Sequence, residues 1–387
     1  AGCPLDLLLA PNPADQHNRL PLPPSLAPSL PLSPLLPLLL PLLLPLLPLP
    51  ASNLLKSPLG VFMDTAMSLS DSKNQVDLAF TSNNLRGLAF ENAFGGATSF
   101  LRRRYTKDLA GVDLAFTGVP FDLGVTNRPG ARFGPRAVRI ASSLLPFDPP
   151  YGWGYSPLES LNVIDYGDLA FDYAKPQDFP AALSAHIAGI LAAGVGVISL
   201  GGDHFISLPI LQAFAQKYGP ISLIQFDAHS DTWPDDDLER LDHGTWTYKA
   251  VKTGLIDPKT SCLVGIRTHC DDYCGLKIID APSIQQRSID QISQEIKSLV
   301  GDRPTYISFD IDALDPAYAP GTGTPVWGGL ASWQVAALLR ALAGINLVGG
   351  DVTEVAPPFD PTGITAIAGA HVATELLCLY GWAKRGG

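Results

Sequence analysis

From about Asp108 onward the chain alternates two hydrophobic patterns. Near-continuous apolar runs rich in β-branched and aromatic residues are punctuated by Gly, Pro or Asp: "VDLAFTGVP" (112–120), "GVGVISLGG" (194–202), "ISLIQFDAH" (221–229), "SCLVGIRTH" (261–269), "TYISFDID" (305–312) and "NLVGGDVTEV" (346–355). These read as strands. Between them, "DFPAALSAHIAGILAAG" (178–194), "PILQAFAQKYG" (209–219), "SIDQISQEIKSLVG" (288–301) and "ASWQVAALLRALAG" (331–344) have the composition and spacing of helices. A strand that is apolar on both faces is buried on both, and strands alternating with helices form a parallel sheet covered on each side. The expected fold class is therefore α/β, with a central, mainly parallel sheet between helical layers.

The amino-terminal part breaks this pattern. Residues 1–57 are a low-complexity leader rich in Leu and Pro and nearly free of charge. No Leu run exceeds three residues before a proline intervenes. Each interior proline costs a helix about 3 kcal/mol, which argues against a membrane span and for polyproline-like disorder. The leader also lacks the Arg- and Ser-rich amphipathic pattern of a transit peptide. Residues 58–107, including "FENAFGGATSFLRRRY", are expected to form an arm that packs on the core or on a neighbouring subunit. Residues 108–387 then form the catalytic domain.

Charge narrows the partners. With 26 Lys and Arg against 37 Asp and Glu, the formal net charge is −11, which disfavours nucleic acid and anionic membrane and suits a cationic substrate. Five cysteines without regular spacing do not make a disulfide framework, so a reducing compartment is expected, the cytoplasm or an organelle matrix, and not secretion. Cys270 and Cys274 beside His269 lack a second Cys pair and read as incidental loop thiols rather than a zinc site.

The chemistry gathers where strands end. In "FDAHSD", Asp227, His229 and Asp231 stand at alternate positions, and so do Asp310 and Asp312 in "SFDIDALDP". Side chains two apart on an extended segment share a face. A third run ends in paired glycines followed by Asp203 and His204. Polar residues at a strand exit are ordinarily solvated, but three exits of one design place ligands outside the carboxyl ends of a parallel sheet, where such folds bind their substrates. Two imidazoles and four carboxylates, His204, Asp227, His229, Asp231, Asp310 and Asp312, make a hard anionic cage suited to Mn²⁺ or a similar octahedral ion.

The stretches "GGDH", "DAHSD" and "SFDIDALDPAYAPGTGTP", with the flanking "GVPFDLGVTNRPGARFGPRAVR" and "DVTEVAPPFD", resemble the signatures of the ureohydrolase (arginase/agmatinase) family from about Phe90 to the carboxyl end. The resemblance implies a three-layer α/β/α arginase fold, two divalent metals (Mn²⁺ or Ni²⁺), and a homotrimer or homohexamer. It also implies that His204 and Asp231 hold one ion, His229 and Asp312 the other, and that Asp227 and Asp310 bridge them. Metals roughly 3.5 to 4 Å apart activate a shared water. Glu354 would then hold a planar guanidinium and His243, in "LDHGTW", would shuttle the proton. The implied catalytic residues are His243, Glu354 and Asp231. His186 and His371, in Ala-rich helix candidates, are expected to serve packing.

Three departures from the family pattern bear on the substrate. Trp233 stands where arginases of the family place an Asn, which disfavours arginine. Val326 and Trp327 replace the "GTGTPE" ending of many agmatinases, and the leader is unlike the family core. The second departure resembles the guanidine-hydrolysing branch, so Trp327 joins Glu354 as an expected substrate-binding residue. The expected reaction is release of urea from a small cationic guanidino compound: free guanidine first, agmatine or 4-guanidinobutanoate second. A catalytically silent binding subunit is the remaining reading, and the intact ligand set speaks against it.

Overall fold

In the computed structural model, residues 94–385 are described. The leader and residues 58–93 of the expected arm lie outside them. Eight strands form one sheet: β1 (Leu114–Val119), β2 (Val163–Asp168), β3 (Gly196–Gly201), β4 (Ser222–Phe226), β5 (Cys262–Val264), β6 (Lys277–Ile279), β7 (Thr305–Asp310) and β8 (Leu347–Thr353). Their order is β2-β1-β3-β8-β7-β4-β5-β6, and every pairing is parallel. All six strands expected from the apolar runs are present. The two that were not expected, β2 and β6, are the sheet edges.

Alternation along the central strands feeds two cores. Ile224 and Ile307 face one side with Phe226, Phe309 and the helices Ile289–Val300, Ser332–Ala341 and Ile364–Lys384. Their neighbours Leu223 and Tyr306 face the other side with the helices Phe179–Ala192 and Ser207–Tyr218. This is the three-layer α/β/α arrangement, generated by the period of two in a strand. Helix Ile289–Val300 starts on a reciprocal cap: Ser288 Oγ accepts from the Gln291 N–H and Gln291 Oε1 from the Ser288 N–H. Helix Ile364–Lys384 is long and apolar enough to cross a membrane, but most of it is buried in the first core.

The described end of the arm belongs to the same packed body. Phe100 is fully buried with its ring 4.1 Å from that of Phe116, and its N–H donates to Asp165. Tyr105 forms a parallel bridge to Asp165. The "RRR" side chains, Arg102, Arg103 and Arg104, are buried rather than spread on a surface. Asp165 is also gripped by Arg139 Nε at 2.7 Å and Nη2 at 3.0 Å, so one carboxylate ties the arm to the sheet edge and the helix Gly134–Ala141.

Candidate active site and metal centre

The carboxyl ends of β3, β8, β7 and β4 lie level in the middle of the sheet, with Phe226 opposite Phe309 and Asp310 opposite Thr353. The three ligand-bearing exits are not three adjacent strands, because β8 runs between β3 and β7 and delivers Glu354 into the gap. Two backbone features make the exits converge. At Gly202 (φ +43°) any Cβ would collide with the Val119 and Phe121 carbonyl oxygens. Asp231 and Glu354 hold left-handed conformations (φ 53° and 61°), each costing of order 1 to 3 kcal/mol, a cost found where side chains must be aimed. The Glu354 N–H bonds the Gly202 carbonyl at 2.7 Å and so fixes one bend against the other.

His204 Nδ1 sits 3.0 Å from Asp227 Oδ2 and 3.1 Å from both Asp231 Oδ2 and Asp310 Oδ2. It makes no aligned hydrogen bond to any described residue, although fully buried. Three carboxylate oxygens thus surround one imidazole nitrogen. His229 Nδ1 lies 3.1 Å from Asp312 Oδ2 and 3.5 Å from Asp227 Oδ1. Among the described residues two groups of potential metal ligands emerge, His204/Asp227/Asp231 and Asp227/His229/Asp312. They share Asp227, as a bridging carboxylate requires. Neither includes Cys270 or Cys274.

The cage's protonation measures its demand for cations. Burial alone would discharge the imidazoles, but the Asp312 charge and hydrogen bonds that the ring donates to Asp227 and Asp312 hold His229 up to about 12, and Asp227, Asp231 and Asp310 hold His204 well above its ordinary value. Burial, then the neighbouring carboxylates, push Asp231 up to about 6 and Asp310 well above the carboxylate range. Without metal, protons must balance the crowded carboxylates. Two divalent ions would displace them, and the oxygen-and-imidazole donor set suits hard octahedral ions.

Residues that sequence reasoning left without a role complete this site. Trp246 donates its Nε1–H to Asp231 Oδ2 at 2.7 Å, and Gln225 Nε2 donates to Asp227 Oδ2 at 2.8 Å while Thr247 holds the other end of its amide. The invisible partner was Thr126. Its N–H and Oγ1 approach His243 Nε2 at 3.1 and 2.8 Å across 117 positions of sequence. His243 Nδ1 meets Glu354 Oε1 at 2.8 Å. Burial opposes charging of His243; the Glu354 charge and hydrogen bond, then Asp231 and Asp203, raise it to about 9. Both of its states have a partner: the charged ring can donate to Thr126 Oγ1, and the neutral ring can accept the Thr126 N–H.

Glu354 Oε1 also accepts the His204 N–H at 2.9 Å, so that oxygen is filled. Oε2 is buried with no hydrogen-bond partner among the described residues, and the missing side chain of Gly323 leaves space beside it. Of the two carboxylate oxygens, Oε2 is the one left open to a further donor.

A cavity of about 290 Å³ opens from the cage, lined by Thr126, His229, Asp231, Trp233, Asp242, His243, Gly244, Thr245, Asp310 and Thr324. Trp327, expected to bind substrate, is not part of the lining: its indole is 89% exposed. Arg267 donates to the Val326 carbonyl, and the Gly328 and Gly329 N–H groups bind Asp315 Oδ2, so the backbone on both sides is held and the indole stands outward. The indole at the cavity is Trp233, 37% exposed, with its ring centroid 6.4 Å from that of His229.

A family model described as "Arginase family" matches residues 112–378. An agmatinase of Chromobacterium violaceum is 50% identical over 312 residues, 80% of this chain and 97% of that protein. The crystal structure of a hypothetical agmatinase from Burkholderia thailandensis superposes with a TM-score of 0.78 at 52% identity, covering 80% of this chain and 99% of that one. Proclavaminate amidino hydrolase from Streptomyces clavuligerus follows at 0.72 and 36%, covering 76% and 100%. Agmatinases and an amidino hydrolase, matched over nearly their whole length, leave one conclusion for a sheet that gathers these imidazoles and carboxylates: the chain belongs to the arginase family and is a ureohydrolase with a binuclear divalent-metal centre.

Proposed function

We propose that this ureohydrolase acts on agmatine, releasing urea and 1,4-diaminobutane, with Mn²⁺ as its resident ion. The observation that carries the reading is the cavity beyond the cage: it is lined by Asp231, Asp242, Asp310 and the Trp233 indole and by no Lys or Arg. Such a wall favours a substrate with a second positive charge and offers no Lys or Arg to a carboxylate tail, as in arginine or 4-guanidinobutanoate. Agmatinases at about half identity support the same choice. Free guanidine, the first expectation from sequence, rested on Val326 and Trp327 standing in place of the "GTGTPE" ending, and the Trp327 indole lies off the cavity.

Two divalent ions held by the His204/Asp227/Asp231 and Asp227/His229/Asp312 groups would supply Lewis acidity and make water nucleophilic at neutral pH, for attack on the guanidinium carbon. Glu354 Oε2 accepts a guanidinium N–H and holds the plane of the cation. Both protons of the water end on the departing nitrogen, and His243 Nε2 carries one of them, passing between its two Thr126-bonded states. Trp233 covers the aliphatic tail and keeps bulk water from it.

Exposed Trp333, Ile364 and Ile367 around a second, apolar groove support the trimer or hexamer that the family resemblance implies. The test of the substrate is urea release across agmatine, 4-guanidinobutanoate, arginine and guanidine on one metal-analysed sample. Agmatine should lead by roughly tenfold or more in kcat/KM, since a tail of several methylenes sums terms of about 1 kcal/mol or more each. Guanidine as the best substrate would overturn the proposal.

A further inference from the structure

Behind His204, on the side away from the cavity, lies a buried chain of polar groups that the proposed chemistry does not use. Asp351 of β8 is fully buried. Its Oδ1 is 2.7 Å from Ser308 Oγ, and its Oδ2 is 2.8 Å from both Ser207 Oγ and Tyr306 Oη. Ser308 Oγ in turn lies 2.8 Å from His204 Nε2. All four partners are buried as well.

Counting protons gives this chain a direction. A carboxylate is an acceptor only, and a hydroxyl has one proton to give. Ser207 Oγ and Ser308 Oγ also lie 3.2 Å apart, but the contacts to the carboxylate are shorter, at 2.7 to 2.8 Å, so Tyr306, Ser207 and Ser308 each give their proton to Asp351. Ser308 Oγ must then accept from His204, so Nε2 carries the ring proton. A neutral imidazole with its proton on Nε2 has its lone pair on Nδ1, the atom that faces Asp227, Asp231 and Asp310. The reverse tautomer would place a proton where the cation has to sit.

We propose that Asp351 is a positioning residue for the metal centre: acting through Ser308, it fixes His204 with Nε2–H inward and aims the Nδ1 lone pair at the first metal. Ser207 and Tyr306 hold the carboxylate in place. Partners of this kind behind a ligating His are worth about 10- to 100-fold in metal affinity.

The test is metal binding to full-length, metal-stripped protein, by chelator competition with Mn²⁺, for wild type, Ser308→Ala, Asp351→Asn and the double variant. Ser308→Ala should weaken one of the two ions about 10- to 100-fold, so that stoichiometry falls from two toward one at limiting metal, while the melting temperature of the metal-free protein shows that the fold persists. Asp351→Asn should lose affinity at the same ion. The two losses should not add, because Asp351 acts through Ser308. Additive losses, equal weakening of both ions, or an Asp351→Asn protein with wild-type affinity would each overturn the proposal. Should Asp351→Asn fail to fold, Ser308→Ala alone decides it by the selective loss of one ion.

Discussion

His243 Nδ1 lies 2.8 Å from Glu354 Oε1, and both side chains are buried, so the group we propose to move a proton and the group we propose to hold the substrate cation share one hydrogen bond. The Glu354 carboxylate is held below its ordinary value: burial opposes this, but His243 and the His204 N–H outweigh it. His243 is raised to about 9.

The pair has a defined pH signature. In metal-free protein the His243 ring should titrate near 9 by NMR, and Glu354→Gln should move it down by about one unit or more. A raised histidine pKa means that the folded state binds the extra proton between about pH 6.5 and 9. The stabilisation is thus complete below about 6.5 and is lost as pH rises through about 9. A ring that titrates near 6.5 in the wild type would show that the pair is not coupled.

Metal loading should expel protons. His204, His229, Asp231 and Asp310 are all raised by the crowded site and must give up protons to bind Mn²⁺. Calorimetric titrations in buffers of different ionisation enthalpy should show net proton release, and affinity should climb as pH rises from 6 to 8. Binding with no buffer dependence would contradict the protonated cage.

Trp246→Phe should keep the fold but leave Asp231 Oδ2 without its 2.7 Å donor. The expected result is a metal affinity or turnover lower by about 10- to 100-fold, the usual cost of losing a ligand's supporting hydrogen bond. Metal content and kcat at wild-type levels would make the indole a packing residue only.

The two tryptophans should separate cleanly. Trp327→Gly should leave the ratio of agmatine to guanidine turnover unchanged, because its indole points to solvent. Trp233→Ala should raise KM for agmatine by about tenfold with little change for guanidine, which has no tail to cover. A preference shift in the first variant and none in the second would restore Trp327 as the specificity residue.

What the sequence made legible follows from burial. β3, β4, β7 and β8 lie inside the sheet, so they read as near-continuous apolar runs with polar, potential ligand residues at their ends. β2 and β6 are edges: "VIDYGD" turns polar halfway and "KII" is only three residues long. The cage was readable because alternate spacing in a strand exit is itself geometry. Thr126 was not, since nothing local marks a loop residue that folds back to a histidine 117 positions away. Trp327 was misplaced because adjacency to a pocket loop says nothing of which way a side chain turns, and here Arg267 and Asp315 decide that. Asp351 stood in plain view within "GGDVTEV", but its role depends on Ser308 and Ser207 from two other elements.

The most direct test of the account titrates Mn²⁺ into metal-stripped protein while urea release from agmatine is followed. Activity should rise to a plateau at two ions per subunit, and arginine and guanidine should be hydrolysed far more slowly at that plateau. A plateau at one ion, or a faster rate on guanidine than on agmatine, would contradict it.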